Sequence, residues 1–462
     1  MPLRDHKIDI MPEPPKFKAL IGPSFILLGL GLGSGEIILW PYLTSNFGMG
    51  IIWGAVLGIT LQFFINMEIE RYSLLRGESI FVGFARKFKY SPIWFIFSTF
   101  IGFVWPGIVA ASAVLISSAF GLQNSHFVAI GMLFLMGVIL TLGPVLYKTM
   151  ERFSILLIGF GVPAIFGLVL YLSSPADWLS LLRGIGGIGE GYRFLPDGIP
   201  MASFLAAFAF SGAGGNLNLA QSFYVKEKGY GMGKYGGRIT SILTGKVEKI
   251  ELEGTRFVMD SQNILRFKAW WKLINWEHLL VFWATGALSI CLLGLLAYTT
   301  SYGKEISASG INFILFEAAE IAKLSSPIIG TAFLIIGGLM LFSTQMTVMD
   351  ATSRIMSENL LILKRSKWET SKLPGIYYSF LWAQILLGSL IFLSNFREPL
   401  LLLTLAAVIN AMAMFVHIGA TLYLNLTTLE KHVSPSLTRI AVMLFSFLFF
   451  GYFTVRTILS YI

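Results

Sequence analysis

Charge is what this sequence has least of. Only 13% of its 462 residues are Asp, Glu, Lys or Arg, about half the share of an ordinary soluble domain, which excludes a soluble globular chain. Cysteine is scarcer still: Cys291 stands alone, so no disulfide framework forms within the chain. Nor is a secretory leader expected. The opening MPLRDHKIDIMPEPPKFK is charged and Pro-rich, and the apolar run after it is too long for a cleaved hydrophobic region. Nor do acids, histidines and nucleophiles group as metal or covalent catalysis requires, so neither an enzyme activity nor a cofactor is expected.

What the chain has instead is apolar length. A transmembrane helix takes about 20 mostly apolar residues. Eleven segments qualify: 19–44, 48–69, 93–120, 125–146, 152–173, 200–224, 279–300, 326–355, 376–394, 399–426 and 437–460. They predict an all-α polytopic membrane protein whose surroundings are the lipid bilayer. If the N-terminus is cytoplasmic, all but six of the 34 Lys and Arg fall on the inner side, as the positive-inside rule asks. The six are Arg183, Arg193, Lys304, Lys323, Arg397 and Arg456, and the C-terminus is then extracytoplasmic. The net charge of +9 is a topology signal and implies no nucleic acid. No obligate protein partner is evident.

The expected organisation is a cytoplasmic tail over 1–18, a first set of five helices over 19–173, and an extracytoplasmic loop over 174–199. A second set of five over 200–426 and an eleventh helix within 427–462 follow. The second set carries a cytoplasmic insertion at 226–277. Within it, KVEKIELEGTRFVMD alternates polar and apolar residues around Glu-Gly and reads as a short hairpin. The following NILRFKAWWKLINWEHLL is basic and aromatic, the pattern of an amphipathic helix on the inner interface.

Two segments are interrupted. GLGSGE, residues 31–36, breaks the first, and SGAGGNLN, residues 211–218, breaks the sixth. They open two successive sets of five helices, and since five is odd, the sets insert with opposite orientations. Secondary transporters are built this way, with discontinuous first helices of inverted repeats forming a site at the midplane. Close packing is the other reading, since Gly29/Gly33 and Gly31/Gly35 have small-xxx-small spacing. Packing does not require Glu36, however. A carboxylate at mid-bilayer costs at least about 2.5–3.5 kcal/mol and normally faces a cavity or a partner.

The patterns IGPSFILLGLGLGSGE, LQFFINMEIERYSLLRGES, GAGGNLNLAQS and FSTQMTVMDATSRIMSENLL together resemble the Nramp (natural resistance-associated macrophage protein) family of metal-ion transporters. The resemblance runs from about Phe17 to Leu426, apart from the insertion. It implies a LeuT-type fold of two inverted five-helix repeats plus one helix, with helices 1 and 6 broken. Typical members carry D-P-G-N where this chain has Gly33-Ser34-Gly35-Glu36, and M-P-H where it has Ala213-Gly214-Gly215. The third helix lacks the carboxylates of the family's proton path. Ala406-Ala407 stand about where a ligand Gln is usual, with Asn410 one turn on.

Loss of a thioether and retention of one carboxylate favour Mg or Mn over softer metals. The implied metal-binding residues are Glu36, Gly33, Ala213 and Asn216. Ser34, Ser211, Asn218 and the carbonyls of Gly33 and Ala213 could supply further neutral oxygens to a bound substrate. Gly and Ala in place of bulky ligands would enlarge the cavity enough for a hydrated ion, since Mg²⁺ dehydrates reluctantly, or for an organic cation.

Gln345, Asp350, Arg354 and Asn410 are candidate lining or gate residues, although Asp350 and Arg354, four apart on a helix, also suit a structural pair. Glu68, Glu70 and Arg71 read as interfacial anchors with mutual salt bridges, and His417 as a structural hydrogen bond. Three functions fit. The first is a secondary transporter of a divalent cation working by alternating access without the family's usual proton residues. The second is a carrier of an amine-bearing organic solute on the same fold. The third is a non-transporting receptor, for which only the insertion could be the sensing part.

Overall fold

The computed structural model describes residues 3–16, 20, 22–31, 33–241, 243–244, 248–304, 311–394 and 399–459. Its long helices follow the apolar segments. The first span is α1 (Pro23–Gly31), a π turn over Ser34–Leu39, and α2 (Trp40–Phe47). Next come α3 (Trp53–Arg76) and the short α4 (Ile80–Lys87). The third span is α5 (Ser91–Phe103) with α6 (Gly107–Phe120), followed by α7 (Ser125–Leu142), α8 (Leu146–Leu172) and the connecting α9 (Pro175–Ile185).

The second half opens on α10 (Met201–Ala209), a 3₁₀ turn over Gly215–Ala220, and α11 (Gln221–Lys228). Beyond the insertion lie α12 (Ser261–His278), a π turn over Leu279–Ala284, and α13 (Thr285–Ser301). The connecting α14 (Asn312–Leu324) leads to α15 (Pro327–Leu363), α16 (Leu373–Leu393), α17 (Pro399–Thr428) and α18 (Leu437–Leu459). Ten of these helical stretches are long and apolar enough to cross a membrane. The sixth span is cut by its break into α10 and α11, pieces of 9 and 8 helical residues. Helix α15 packs against α5, α6 and α16, while α1, α2 and α11 pack against α8, α13 and α3 respectively.

Three expectations need correction. The third span is not one helix: Val104, Trp105 and Pro106 separate α5 from α6. Proline has no N–H to offer the carbonyl four residues back, and the Asn410 amide donates to that Gly102 carbonyl at 3.0 Å instead. The basic aromatic stretch is not a separate interfacial helix, because α12 continues through the π turn into α13 as one helix of 41 residues. Its Trp270 is buried and donates to the Pro12 carbonyl, while Arg71 and Arg439 lie over the Trp271 ring. Its aromatic side thus meets the protein's own tail and arginines.

The third correction concerns the hairpin. Among the described residues of that stretch, only Thr255–Arg256 (β2) is a strand, and it pairs in parallel with Lys7–Ile8 (β1). The alternating acids serve ion pairs instead: Glu248 holds Arg238, Glu251 holds Lys7 and Lys249, and Glu253 holds Arg365. The tail therefore forms a strap across the N-terminal face of the bundle. Further along, Met11 N donates to Asn263 and Arg266 donates to the Met11 carbonyl.

Glu78, buried just beyond α3, is the hub of this strap. It accepts hydrogen bonds from His6, Tyr72, Arg86 and the Gly254 N–H at 2.8–3.1 Å. Burial alone would push its carboxyl up, but the His6 hydrogen bond and charge, with Arg86, outweigh it and hold it at about 2 against an ordinary 4.5. As pH falls, the unfolded chain takes up this proton first. The stabilisation is therefore complete above about 4.5 and disappears as pH approaches about 2. It amounts to about 3 kcal/mol. Glu78→Gln should lower stability by about that much at pH 5, with wild type and variant converging between pH 4.5 and 2. Unfolding in detergent at both pH extremes tests this, and a gap unchanged at pH 2 would remove Glu78 from the role.

Candidate functional site

The two breaks meet, and their glycines serve different purposes. In the first span the need is proximity. A methyl group on Gly31 would lie 2.8 Å from Gly212 Cα, and one on Gly35 would fall on the Phe210 carbonyl oxygen. In the sixth span the need is a backbone that L side chains rarely adopt: Gly214 and Gly215 have φ of +59° and +58°. The glycine-rich stretch is thus close packing and helix interruption at once.

Breaking a helix orphans backbone groups that must be paired elsewhere when buried. Gln62 of α3 supplies this across the sixth-span break. Its Nε2 donates to the Ala209 carbonyl at 2.8 Å, and its Oε1 accepts from Gly214 N at 3.3 Å and Asn218 Nδ2 at 3.2 Å. His417 of α17 sits 2.9 Å from the Gly215 carbonyl, a structural hydrogen bond made to the break itself. Ser211 accepts from Trp40 Nε1 at 2.8 Å and donates to the Ala207 carbonyl, stitching the sixth span to the first. Sequence reading passed over Gln62. Its signal was a buried-type amide within an apolar span, which by itself does not say which backbone it would satisfy.

Glu36 is fully buried in the π turn. Its Oε2 accepts from Gly33 N at 3.2 Å, and its Oε1 has no partner among the described residues. Asn216 donates to Ser98 and Thr99 on α5 at 2.8 and 2.9 Å, and Asn218 donates to Asn66 on α3 at 2.7 Å. In both, and in Asn410, the side-chain oxygen is left without a donor. The breaks therefore carry a carboxylate oxygen and three amide oxygens, all buried and all with unused acceptor capacity. Among the described residues no three His, Cys, Asp or Glu side chains stand together as a metal-binding group. The Ser34 side chain lies outside the described residues.

The missing bulk does not leave open space. Thr344 fills the position a side chain on Gly33 would take and donates to the Gly29 carbonyl at 3.0 Å. Phe210 does the same at Gly214, and Asn410 at Gly215. Ala213 and Gln345 are buried.

Asp350 and Arg354 belong to a different cluster, toward the N-terminal face and about 9 Å along α15 from Thr344. Arg354 Nε spans both Asp350 oxygens at 3.0 and 2.9 Å, and another of its nitrogens pairs with Glu227 at the end of α11. Tyr377 of α16 donates to Asp350 at 2.8 Å. The pair lies within one helix, and Glu227 extends it across to the sixth span. Of the proposed anchors, Glu68 and Arg71 do pair, at 2.8 Å, and Arg439 joins them, whereas Glu70 is met by Gln221 instead.

No protein-family model matches the sequence. No curated protein matches it either. Solved structures do. The Eremococcus coleocola manganese transporter aligns as a mutant with TM-score 0.70 at 11% identity, covering 98% of this chain and 90% of that one. The same transporter in complex with an aromatic bis-isothiourea substituted compound gives 0.69 at 12%, with the same coverage. MhsT in complex with L-phenylalanine gives 0.56 at 14%, covering 99% of each chain. At such identities it is the fold that is shared: this chain is an integral multi-pass membrane protein with an Nramp-like, LeuT-type fold.

Proposed function

We propose that the chain is a secondary transporter that moves a small divalent cation with hard-oxygen preference, Mg²⁺ or Mn²⁺, by alternating access. The observation that carries this reading is the buried Glu36 carboxylate at the meeting of the two breaks, with one oxygen unpaired, in a break region where the side-chain oxygens of Asn216 and Asn218 also lack donors. Buried acceptors are ordinarily paired, and an unpaired carboxylate oxygen with further unpaired oxygens on the same two breaks suits a cation that takes oxygen ligands. Glu36, Asn216 and the carbonyls of Gly33 and Ala213 would hold the ion, with Asn218, Ser211 and Ser34 nearby. Asn410 and Gln345 would line the path, and Asp350 with Arg354 would act at its N-terminal end as a gate against Glu227. The manganese transporter with the same fold supports a metal cargo. The filling of the glycine sites by Thr344, Phe210 and Asn410 weighs against a bulkier organic amine, and the transporter reading leaves no place for an enzyme activity.

The N-terminal face, closed by the strap, is assigned to the cytoplasm by the lysine and arginine distribution, and the C-terminus to the outside. The domain boundaries proposed from the sequence go with this arrangement. Without acids on the third span, transport is driven by membrane potential.

Purified protein in proteoliposomes with an inside-negative potential tests the proposal, with Mg²⁺, Mn²⁺, Ca²⁺ and Cd²⁺ offered in parallel. Saturable uptake of at least one is expected, with Glu36→Gln reducing it by more than the roughly 10–100-fold that even outer partners of a metal ligand are worth. Absence of metal flux from folded protein would turn the cargo to organic amines. Proton currents that accompany transport and vanish in Glu36→Gln would overturn the uncoupled mechanism.

A further inference from the structure

The first turns of α8 present two faces with opposite roles. One is turned inward: Glu151 pairs with Lys228 of α11 at 2.5 Å, and Tyr147 donates to Glu151. The other carries Lys148 and Arg152, four residues apart and both exposed, with no hydrogen bond or ion pair among the described residues. That is unlike arginines 71, 76, 86 and 365, each bound to a carboxylate.

Lys148 and Arg152 line a groove of about 470 Å³ whose other walls are mainly apolar, Val145, Phe153 and Leu156 among them. From Leu156, 58% exposed, the same helical face continues beyond the groove to Phe160, 75% exposed. At 1.5 Å per residue, Phe160 lies about 12 Å beyond Arg152, within the roughly 15 Å depth of one leaflet's hydrocarbon.

We propose that this groove binds an anionic phospholipid from the leaflet at the N-terminal face, with its phosphate between Lys148 and Arg152 and an acyl chain along Leu156 and Phe160. Three features point to a lipid. Two adjacent cations without protein counter-charges suit a phosphate, Arg in a planar fork and Lys as a point charge. The apolar walls suit a chain, which a free phosphate does not have. The order of the two along the helix, charge first and apolar surface deeper, matches the way a phospholipid sits in a bilayer. Because the adjacent face of the same turn holds α11 through Glu151 and Lys228, a lipid here would brace the helix that backs the sixth span.

Native mass spectrometry of the full chain released from detergent tests this, with equimolar phosphatidylglycerol and phosphatidylcholine of the same chains. The wild type should retain phosphatidylglycerol over phosphatidylcholine by about 30-fold, as expected for two surface cations. K148Q/R152Q should lose that preference, and K148R/R152K, which keeps both charges, should retain it. Equal retention of the two lipids by wild type, or an undiminished preference in K148Q/R152Q, overturns the proposal. So does displacement of the lipid by an equal concentration of glycerol 3-phosphate, which would make the groove a phosphate site with no part for the chain.

Discussion

Alanine at Gly35 will destabilise the protein by about 3 kcal/mol or more, at or beyond the upper end of what overpacking usually costs. The added methyl group would fall on the Phe210 carbonyl oxygen, which is backbone and cannot swing aside as a side chain would. Phe210 also closes α10 at the break, so moving it disturbs the geometry that sets Gly212, Gly214 and the Gln62 hydrogen bonds. Either the two interrupted helices separate or the sixth-span turn rebuilds, and both outcomes spoil the Glu36 surroundings. Alanine at Gly159 of α8 is the matched control, because nothing lies within 4 Å of where its methyl would be. In a helix interior that change should be neutral or stabilising by about 0.5–1 kcal/mol. Thermal unfolding and size-exclusion profiles of the two variants decide the matter. Equal behaviour would mean that the breaks are not in close contact.

The second large effect is expected at Arg354. Replacing it with methionine removes the cation that lies between Asp350 and Glu227, both buried. Removing one member of a buried ion pair typically costs 3–5 kcal/mol, because the partner's charge is left uncompensated. Here two carboxylates would be left, one of them still held by Tyr377. The cost should therefore reach about 5 kcal/mol. It should also be largely repaired when Asp350→Asn and Glu227→Gln are added to the methionine variant, since neutral amides can be buried without a counter-charge. Stability measured through this set gives the coupling directly. A triple variant no more stable than Arg354→Met alone would show that packing rather than charge makes the arginine indispensable.

The sequence made some parts of this molecule legible and hid others, for physical reasons. The spans show because lipid imposes long apolar runs. The two breaks show because either cause of an interruption, close approach at Gly35 or left-handed backbone at Gly214, calls for glycine. The interruption at Pro106 does not show, since a single proline in an apolar run is as compatible with a kink as with a gap. The strap is invisible to any local pattern: its strands are two residues each and lie 248 positions apart. Continuity of α12 with α13 was masked by a change of composition, which reflects what surrounds each half and not where the helix ends. Of the candidate residues, Glu36, Gly33, Ala213 and Asn216 fall at the breaks, while Asp350 and Arg354 form a separate cluster. Spacing along α15 alone could not have told whether Glu227 would arrive to join them.

That continuous helix has a mechanical consequence. At 1.5 Å per residue its 41 residues span about 61 Å, twice the roughly 30 Å of a bilayer's hydrocarbon, with a π turn near the midpoint. A rod of that length is a lever. Pivoting it by about 10° about its midpoint would sweep the far tip through about 5 Å, while residues beside the pivot barely move. The strap grips that tip, at Asn263, Arg266 and Trp270, where it has the longest arm. Hydrogen bonds placed there act on such a rotation with the greatest leverage.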